Sequence, residues 1–314
     1  MSKKFAIMPD TTCDLSLEFQ KEYDIDVILG HFTTPDGEEH TSLHAWNEEF
    51  QRDQFYKDVK RNPNGFTTAP PNAQECYLAF EKHVKNNEGV LAMAISTGIS
   101  GTYGFMMEAK KEILEKYPNA EIEVIDTLRF GPGFGLMAIY ASNLRKEGKT
   151  LQETAKWLEE NKNNFHQSGW MDDLSFVAKK GRLTHAKAFF GTLVGIKPVG
   201  EFDHNGLTTV IGKAKGEKEA YQALLDYIDE HIVDAQNQMI FIATSNRHKN
   251  AEVFKQMLEE RFHPKAVYIN DVFPNCGINI GPGLMAAYYF GTPISKGVVE
   301  ESKSFEAILA KIRG

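Results

Sequence analysis

The sequence is poor in cysteine: Cys13, Cys76 and Cys276 are the only three in 314 residues. Their odd number, wide separation and apolar or turn surroundings exclude a disulfide framework and a cysteine-rich metal site, and point to a reducing compartment. Long hydrophobic runs are absent too. The apolar stretch near the start, FAIM at 5–8, is stopped by Pro9 and Asp10, too short for a signal-peptide core or a membrane span. A cytoplasmic protein without stable membrane insertion is therefore expected. Positive charge is in the minority, 35 Lys and Arg against 43 Asp and Glu, for a formal net charge of −8. Phosphate-backbone binding is supplied by clustered Lys and Arg, so nucleic acid is not an expected partner. The common catalytic signatures are missing as well: no G-x-S-x-G elbow occurs, and no histidine lies in the glycine-rich loops.

What is present suits ordinary globular cores. Hydrophobic residues make up 42% and charged residues 25%, enough to bury apolar surface without staples. A chain this long implies two domains. Strand-length apolar runs recur at 5–8, 25–30 (IDVILG), 89–95 (GVLAMAI) and 122–126 (IEVID). Helical patterns lie between them: one is capped by Asn72 with Glu75 at the third helical position, and one runs from Ser100 to about Tyr117 with Phe105, Ala109 and Ile113 on its stripe. A third carries Met137, Ala141 and Leu144. TLQE at 150–153 is a capping box that opens a connecting helix. Strands alternating with helices predict an N-terminal α/β domain with a parallel sheet over 1–165. The second half, 166–314, reads as another α/β domain. Its strands are MIFIA at 239–243 and AVYIN at 266–270, its helices 216–231 and 249–261, and a hairpin around Asn205-Gly206 makes its sheet partly antiparallel. Residues 275–314 are expected to pack back on the first domain. GPGFGLMAIY at 131–140 and GPGLMAAYY at 281–289 echo each other, and both read as glycine turns entering buried helices.

Two hydroxyl-rich stretches stand out as a ligand site. AISTGISGTYGF at 94–105 places Ser96, Thr97, Ser100 and Gly101 between a strand and a helix, where unpartnered N–H groups and the macrodipole favour an anion. It is not a P-loop, since no lysine follows until Lys110, and it lacks the G-x-G-x-x-G order of a dinucleotide fingerprint. FTTAPPNAQE at 66–75 sets Thr67 and Thr68 before two prolines and a second helix start. Two such loops after parallel strands would meet at the carboxyl edge of the sheet, the usual crevice of such folds. Three readings stay open at this point: a carboxylate held by hydroxyls, a sugar phosphate handled by an enzyme, and hydroxyls that only cap helices and turns.

The order and spacing of IMPDTTCDLS, FTTAPPNAQE, AISTGISGTYGF, VIDTLRFGPGFG, AKKGRL, KPVGEFDHNG and INIGPG resemble the motifs of the DegV family over nearly the whole chain. The resemblance implies a non-enzymatic, cofactor-free carrier of two α/β domains, with an acyl chain in an apolar tunnel and its carboxylate held by hydroxyls. It also implies a partner, a fatty acid kinase that phosphorylates the bound acid. By the same resemblance Thr67 and Thr97 donate to the carboxylate, and Arg182 orients the polar network or meets the acyl phosphate. Asn279 stands where the family commonly has a histidine; it can hydrogen-bond but cannot become charged near pH 7. An interaction protein with a decayed site is a further alternative. The tunnel has a physical rationale, because roughly a dozen buried methylenes are worth about 10 kcal/mol gross, leaving little for the head group to add. Its expected lining is Phe105, Met106, Phe189, Phe190, Leu193, Val194 and Ile196, against the plain alternative of ordinary core.

Other features are discounted. His40 and His44 have helical i, i+4 spacing beside Glu38 and Glu39 but lack a third metal ligand, so no metal is expected. Cys13 reads as a buried or capping thiol. Lys179 and Lys180 beside Arg182 form a small basic patch.

Overall fold

The structure, a computed structural model, describes residues 4–42, 51–183 and 195–314. The chain divides into two compact units: Met1–Phe50 with Asn64–Lys162 and Phe273–Asn275, and Gln51–Pro63 with Asn163–Val272 and Cys276–Gly314.

In chain order, β1 (Phe5–Pro9) leads through α1 (Leu17–Tyr23) to the short strands β2 (His31–Thr33) and β3 (Glu39–Thr41). Helix α2 (Arg52–Arg61) belongs to the second unit. The first unit resumes with β4 (Thr67–Ala69), α3 (Ala73–Val84), β5 (Gly89–Ala94), α4 (Thr102–Lys116), β6 (Ile122–Asp126), α5 (Gly131–Lys146) and α6 (Leu151–Asn161). Its parallel sheet has the order β1-β5-β6. The middle strand β5 is buried along its whole length, which is why it reads as a continuous apolar run rather than an alternation. Stretch 25–30 does not join as a strand. It meets β1 through isolated bridges, Ile25 to Ile7 and Ile28 to Asp10, with Asp26 N donating to the Ile7 carbonyl at 3.0 Å and Ile28 N to the Pro9 carbonyl at 2.9 Å. The capping boxes form as the sequence implies: Asn72 with Glu75 opens α3 and Thr150 with Glu153 opens α6. Helix α4 buries Thr102, Met106, Ala109 and Ile113. The expected stripe is thus one position out of phase at its start, and Phe105 is 37% exposed. Helix α5 lies so close to the turn after β1 that a Cβ on Gly135 would come within 2.6 Å of the Cys13 carbonyl oxygen. Strands β3-β2-β4 form a separate antiparallel sheet.

The second unit continues with β7 (Phe165–Met171), α7 (Leu174–Lys179), β8 (Ile196–Phe202), β9 (Thr208–Lys215), α8 (Gly216–His231), β10 (Met239–Thr244), α9 (His248–Phe262), β11 (Ala266–Asp271), α10 (Pro274–Ile280), β12 (Leu284–Phe290) and α11 (Val299–Arg313). Six strands pair as β11-β10-β12-β7-β8-β9. Among these six strands β10 and β11 pair parallel and the other neighbours antiparallel. The hairpin turns at Asn205-Gly206, with Gly206 at φ 68° and Asp203 Oδ1 accepting from the N–H groups of Asn205 and Leu207. Trp170, Tyr227, Phe254 and Phe305 lie in the core between this sheet and helices α8, α9 and α11.

One sequence expectation needs correction here. The echo GPGFG/GPGLM does not open two helices: the first enters α5, but the second precedes strand β12, which is hydrogen-bonded on both edges. A short run apolar at every position carries no period that separates a strand from a buried helix. The two compact units divide between Lys162 and Asn163, and Phe273–Asn275 groups with the first unit. Residues 276–314 stay with the second unit because β12 is an inner strand of its sheet.

Candidate functional site

The carboxyl ends of β1, β5 and β6 gather the polar residues of the first unit. At the end of β1 lies Asp10, fully buried. One of its carboxylate oxygens accepts from Ile95 N at 2.8 Å, and the other accepts from Thr12 N at 2.9 Å and from the Thr12 hydroxyl. Burial pushes its pKa up despite these bonds, and the residue ties the turn after β1 to the end of β5.

Ser96 follows β5, is buried, donates its N–H to the Arg129 carbonyl at 3.0 Å and accepts from Gly98 N at 3.1 Å. Thr97, by contrast, is exposed. Its hydroxyl donates to Asp126 Oδ2 at 2.5 Å and its N–H to Asp126 Oδ1 at 3.2 Å. Ser100 Oγ is 2.8 Å from Thr102 Oγ1. Gly101 is the N-cap of α4, and a Cβ placed there or on Gly104 would meet nothing within 4 Å, so the outer side of this loop is open. Parallel pairing brings Asp126 opposite Ala94, which is how a residue 29 positions along the chain reaches Thr97. Leu128, next after this cluster, has φ 54°. A branched side chain in the left-handed region is unusual, and its N–H is held by Asp126 Oδ1 at 3.2 Å. The neighbouring Arg129 is fully buried and donates to the Leu128 carbonyl at 2.7 Å.

Thr67 and Thr68 do not sit in a loop after a parallel strand, as the sequence suggests. They lie on β4, opposite Thr33 and Phe32 of antiparallel β2, with Thr67 exposed and Thr68 half-buried. A Cβ on Gly30 would stand 3.0 Å from the Ala69 carbonyl and 3.2 Å from Thr11 Cγ2. Strand β4 therefore lies, at Ala69, beside the turn that follows β1. Asn275 secures that corner by donating to the carbonyls of His31 at 3.1 Å and Ala69 at 3.3 Å.

Arg182 and Asn279 belong to the second unit. Arg182 is half-buried after Gly181 (φ 75°) and donates to the Lys180 carbonyl. Lys180 donates to the Pro63 carbonyl at 3.0 Å, and burial followed by the nearby Arg182 charge lowers its pKa. Asn279 is half-buried on α10. Sequence reasoning missed Asp10, Asp126 and Arg129 as parts of the edge. The available signal was positional, since residues ending neighbouring parallel strands share the crevice.

The discounted features resolve simply. His40 lies on strand β3 rather than a helix, its ring stacked on Phe32 at 5.2 Å, while His44 lies outside the described residues. No group of three or more His, Cys, Asp or Glu that could hold a metal occurs among the described residues. Burial pushes the Cys13 thiol far up, out of thiolate chemistry. Of the expected tunnel lining, Phe189, Phe190, Leu193 and Val194 lie outside the described residues, Phe105 is exposed, Met106 is core of the first unit and Ile196 is half-buried on β8. A cleft of about 550 Å³ opens beside the start of β1, lined by Lys4, Asp26, His83 and Arg145 among others. Its charged lining and its place at the amino edge separate it from the hydroxyl cluster. No helix among the described residues is long and apolar enough to cross a membrane.

The profile of the family described as "Uncharacterised protein, DegV family" matches residues 4–292. A DegV domain-containing protein of Clostridium perfringens is 32% identical over 289 residues, covering 92% of this chain and 98% of the relative. Among solved structures, a fatty-acid-binding DegV family protein from Thermus thermophilus superposes with a TM-score of 0.81 at 22% identity, covering 92% of this chain and 99% of its own. The Streptococcus pneumoniae fatty acid kinase (Fak) B3 protein loaded with linoleic acid superposes at 0.75 and 19% identity, covering 91% and 99%. At these identities the two structures establish a shared two-domain α/β fold.

Proposed function

We propose, from the premise that this chain belongs to the DegV family, that it is a carrier that binds a long-chain fatty acid and performs no chemistry of its own. The carrying observation is the set of exposed or half-buried hydroxyls, Thr67, Thr68, Thr97 and Ser100, that the first unit offers, on a fold shared with proteins that bind fatty acids. In this reading the carboxyl head docks at these hydroxyls, with Ser96 and Gly101 shaping the loop. The acyl chain supplies the affinity, at about 0.8 kcal/mol per buried methylene, so the head needs only neutral partners. Arg182 and Asn279, in the second unit, are the further ligand-binding residues that the family resemblance implies. Delivery to a fatty acid kinase, with Arg182 meeting the acyl phosphate, is the finer part of the proposal and is supported by the fatty acid kinase (Fak) B3 name of the pneumococcal protein.

Asp126 weighs against the sugar-phosphate alternative. Its carboxylate occupies the Thr97 hydroxyl, and a phosphate dianion on the same hydroxyl would meet like charge.

The test is mass spectrometry of the purified protein, native and after organic extraction. A stoichiometric fatty acid is expected, and it should be lost from the Thr67→Ala/Thr97→Ala double variant. An empty protein that sugar phosphates stabilise thermally, while palmitate and oleate do not, would overturn the reading.

A further inference from the structure

The direction of one hydrogen bond decides what a ligand can offer at Thr97. A threonine hydroxyl has one proton and two lone pairs. At Thr97 the proton goes to Asp126 Oδ2 at 2.5 Å, the length of a charge-assisted bond to a carboxylate. The other carboxylate oxygen, Oδ1, is occupied by two backbone donors, Thr97 N and Leu128 N, each at 3.2 Å. Asp126 is therefore gripped as an acceptor, and the Thr97 oxygen is left to present lone pairs to the open side of the loop. A carboxylate arriving there would set acceptor against acceptor and add a second negative charge about one hydroxyl away from the first.

The groups around Asp126 do not reverse this. Lys162, at the end of α6, donates to the backbone carbonyl of Asp126 at 3.1 Å and pairs with Glu159 at 2.7 Å. Tyr103 on α4 is held above its ordinary pKa by burial and then by the charges of Asp126 and Glu159, so its phenol stays neutral.

Resting on the fatty-acid reading above, we propose that Asp126 is a positioning residue that makes Thr97 a hydrogen-bond acceptor, so that this carrier takes its ligand as the neutral carboxylic acid, whose O–H donates to Thr97 Oγ1. A fatty acid is ionised in neutral water, since ordinary carboxyl pKa values lie near 4. Binding then takes up one proton from solution, and the apparent Kd rises about tenfold for each pH unit above that range. Asp126→Asn reverses the arrangement. Two N–H donors at Oδ1 keep the amide oxygen on that side, which turns the amide NH2 toward Thr97 Oγ1 and frees the threonine proton for an ionised head.

Calorimetry of the delipidated full chain with myristate, kept below its micelle concentration, reads this directly. Titrations at pH 6.5, 7.5 and 8.5 in buffers of different ionisation enthalpy give both the Kd and the proton count. The wild type is expected to take up about one proton per myristate, with Kd rising about tenfold per pH unit, and Asp126→Asn to bind with no uptake and a flat profile. Binding by the wild type without proton uptake and with the same Kd at all three pH values would overturn the proposal, as would an Asp126→Asn variant indistinguishable from the wild type. No binding of myristate, palmitate or oleate at any pH would instead remove the fatty-acid reading itself. If the variant does not fold, as judged by circular dichroism, the wild-type proton count decides alone.

Discussion

Asp126 in the first unit and Glu201 in the second are built alike and end differently. Each carboxylate takes two backbone N–H groups on one oxygen: Thr97 and Leu128 for Asp126, Gln167 at 2.7 Å and Phe202 at 2.9 Å for Glu201. Each offers its other oxygen to a side chain, the Thr97 hydroxyl in one case and His166 Nδ1 at 2.9 Å in the other. At Glu201 the chain of bonds then closes. His166 is fully buried, its second nitrogen is 2.9 Å from the Thr292 carbonyl, and its ring stacks on Tyr289 with centroids 4.9 Å apart. Both ring nitrogens thus face acceptors inside the protein. At Asp126 the chain ends on a hydroxyl whose lone pairs face outward. The same clamp is a structural device where its partner's remaining valence is satisfied inside the protein, and a recognition device where that valence is left open.

The largest effect that can test this contrast comes from Glu201→Ala. Burial raises the carboxyl pKa, but the His166 charge and the hydrogen bonds from His166, Gln167 and Phe202 bring it below its ordinary value. Removing the acid leaves His166 Nδ1 and the N–H groups of Gln167 and Phe202 buried without their acceptor, and breaking such a buried pair costs about 3–5 kcal/mol. Urea unfolding should show a loss of that size with fatty acid binding per folded molecule unchanged. A loss under about 1 kcal/mol would mean that the pair behaves like a surface one, and the contrast with Asp126 would collapse.

A middle-sized effect probes the support of the β4 threonines. Asn72 caps α3 directly after the β4 threonines, accepting from Glu75 N at 2.9 Å while Glu75 accepts from Asn72 N at 2.8 Å. Asn72→Ala should cost about 1 kcal/mol and lower the thermal midpoint by a few degrees. Because the cap fixes where Thr67–Pro71 hand over to the helix, myristate affinity should fall along with stability. A variant destabilised with unchanged affinity would show that the β4 threonines are held independently of α3.

That cap was legible in the sequence, and so were its twin at Thr150 and the turn at Asn205-Gly206, because capping boxes and two-residue hairpins are local: the chemistry lies within three or four residues. The apolar runs that became β1, β5, β6, β10 and β11 were legible for a related reason, as turn or helix signals bracket each of them. Strands β7 and β12 were hidden. FHQSGWM contains His166, Gln167 and Ser168, all buried, and reads as too polar for an inner strand, while LMAAYYF has no period at all. Gly169 is the telling residue there, since a Cβ on it would lie 2.3 Å from Ala286 Cα, a closeness of strands visible only once they are paired. For the site, the hydroxyls were legible as a composition, but their hydrogen-bond direction was not. Asp126 meets Thr97 through strand pairing, and nothing in the local pattern at 94–105 announces a carboxylate partner.

The smallest effect lies between the two extremes, at a half-exposed cluster in the first unit. His83 Nε2 is 3.0 Å from Asp26 Oδ2 and Nδ1 is 2.7 Å from Glu88 Oε2, with Lys82 2.9 Å from Asp26 and Lys4 3.3 Å from Glu88. The hydrogen bond to Asp26, then that to Glu88, raise the His83 pKa against the pull of burial. The hydrogen bond from His83, helped by Lys82, lowers Asp26 to about 2. A raised histidine stabilises fully below its ordinary value near 6.5 and loses that contribution as pH rises through its folded value, whereas a lowered aspartate stabilises above about 3.9 and loses it as pH falls toward 2. The cluster therefore contributes most between about pH 4 and 6.5. Asp26 is 42% exposed, so solvent screening holds the effect to about 0.5 kcal/mol. Urea unfolding of His83→Gln should show that loss at pH 5.5 and less of it at pH 8.5. Equal losses at both would mean that packing of the ring, not its charge, ties α3 to the stretch beside β1, and that closure of polar valences rather than charge is what separates Glu201 from its half-open counterparts.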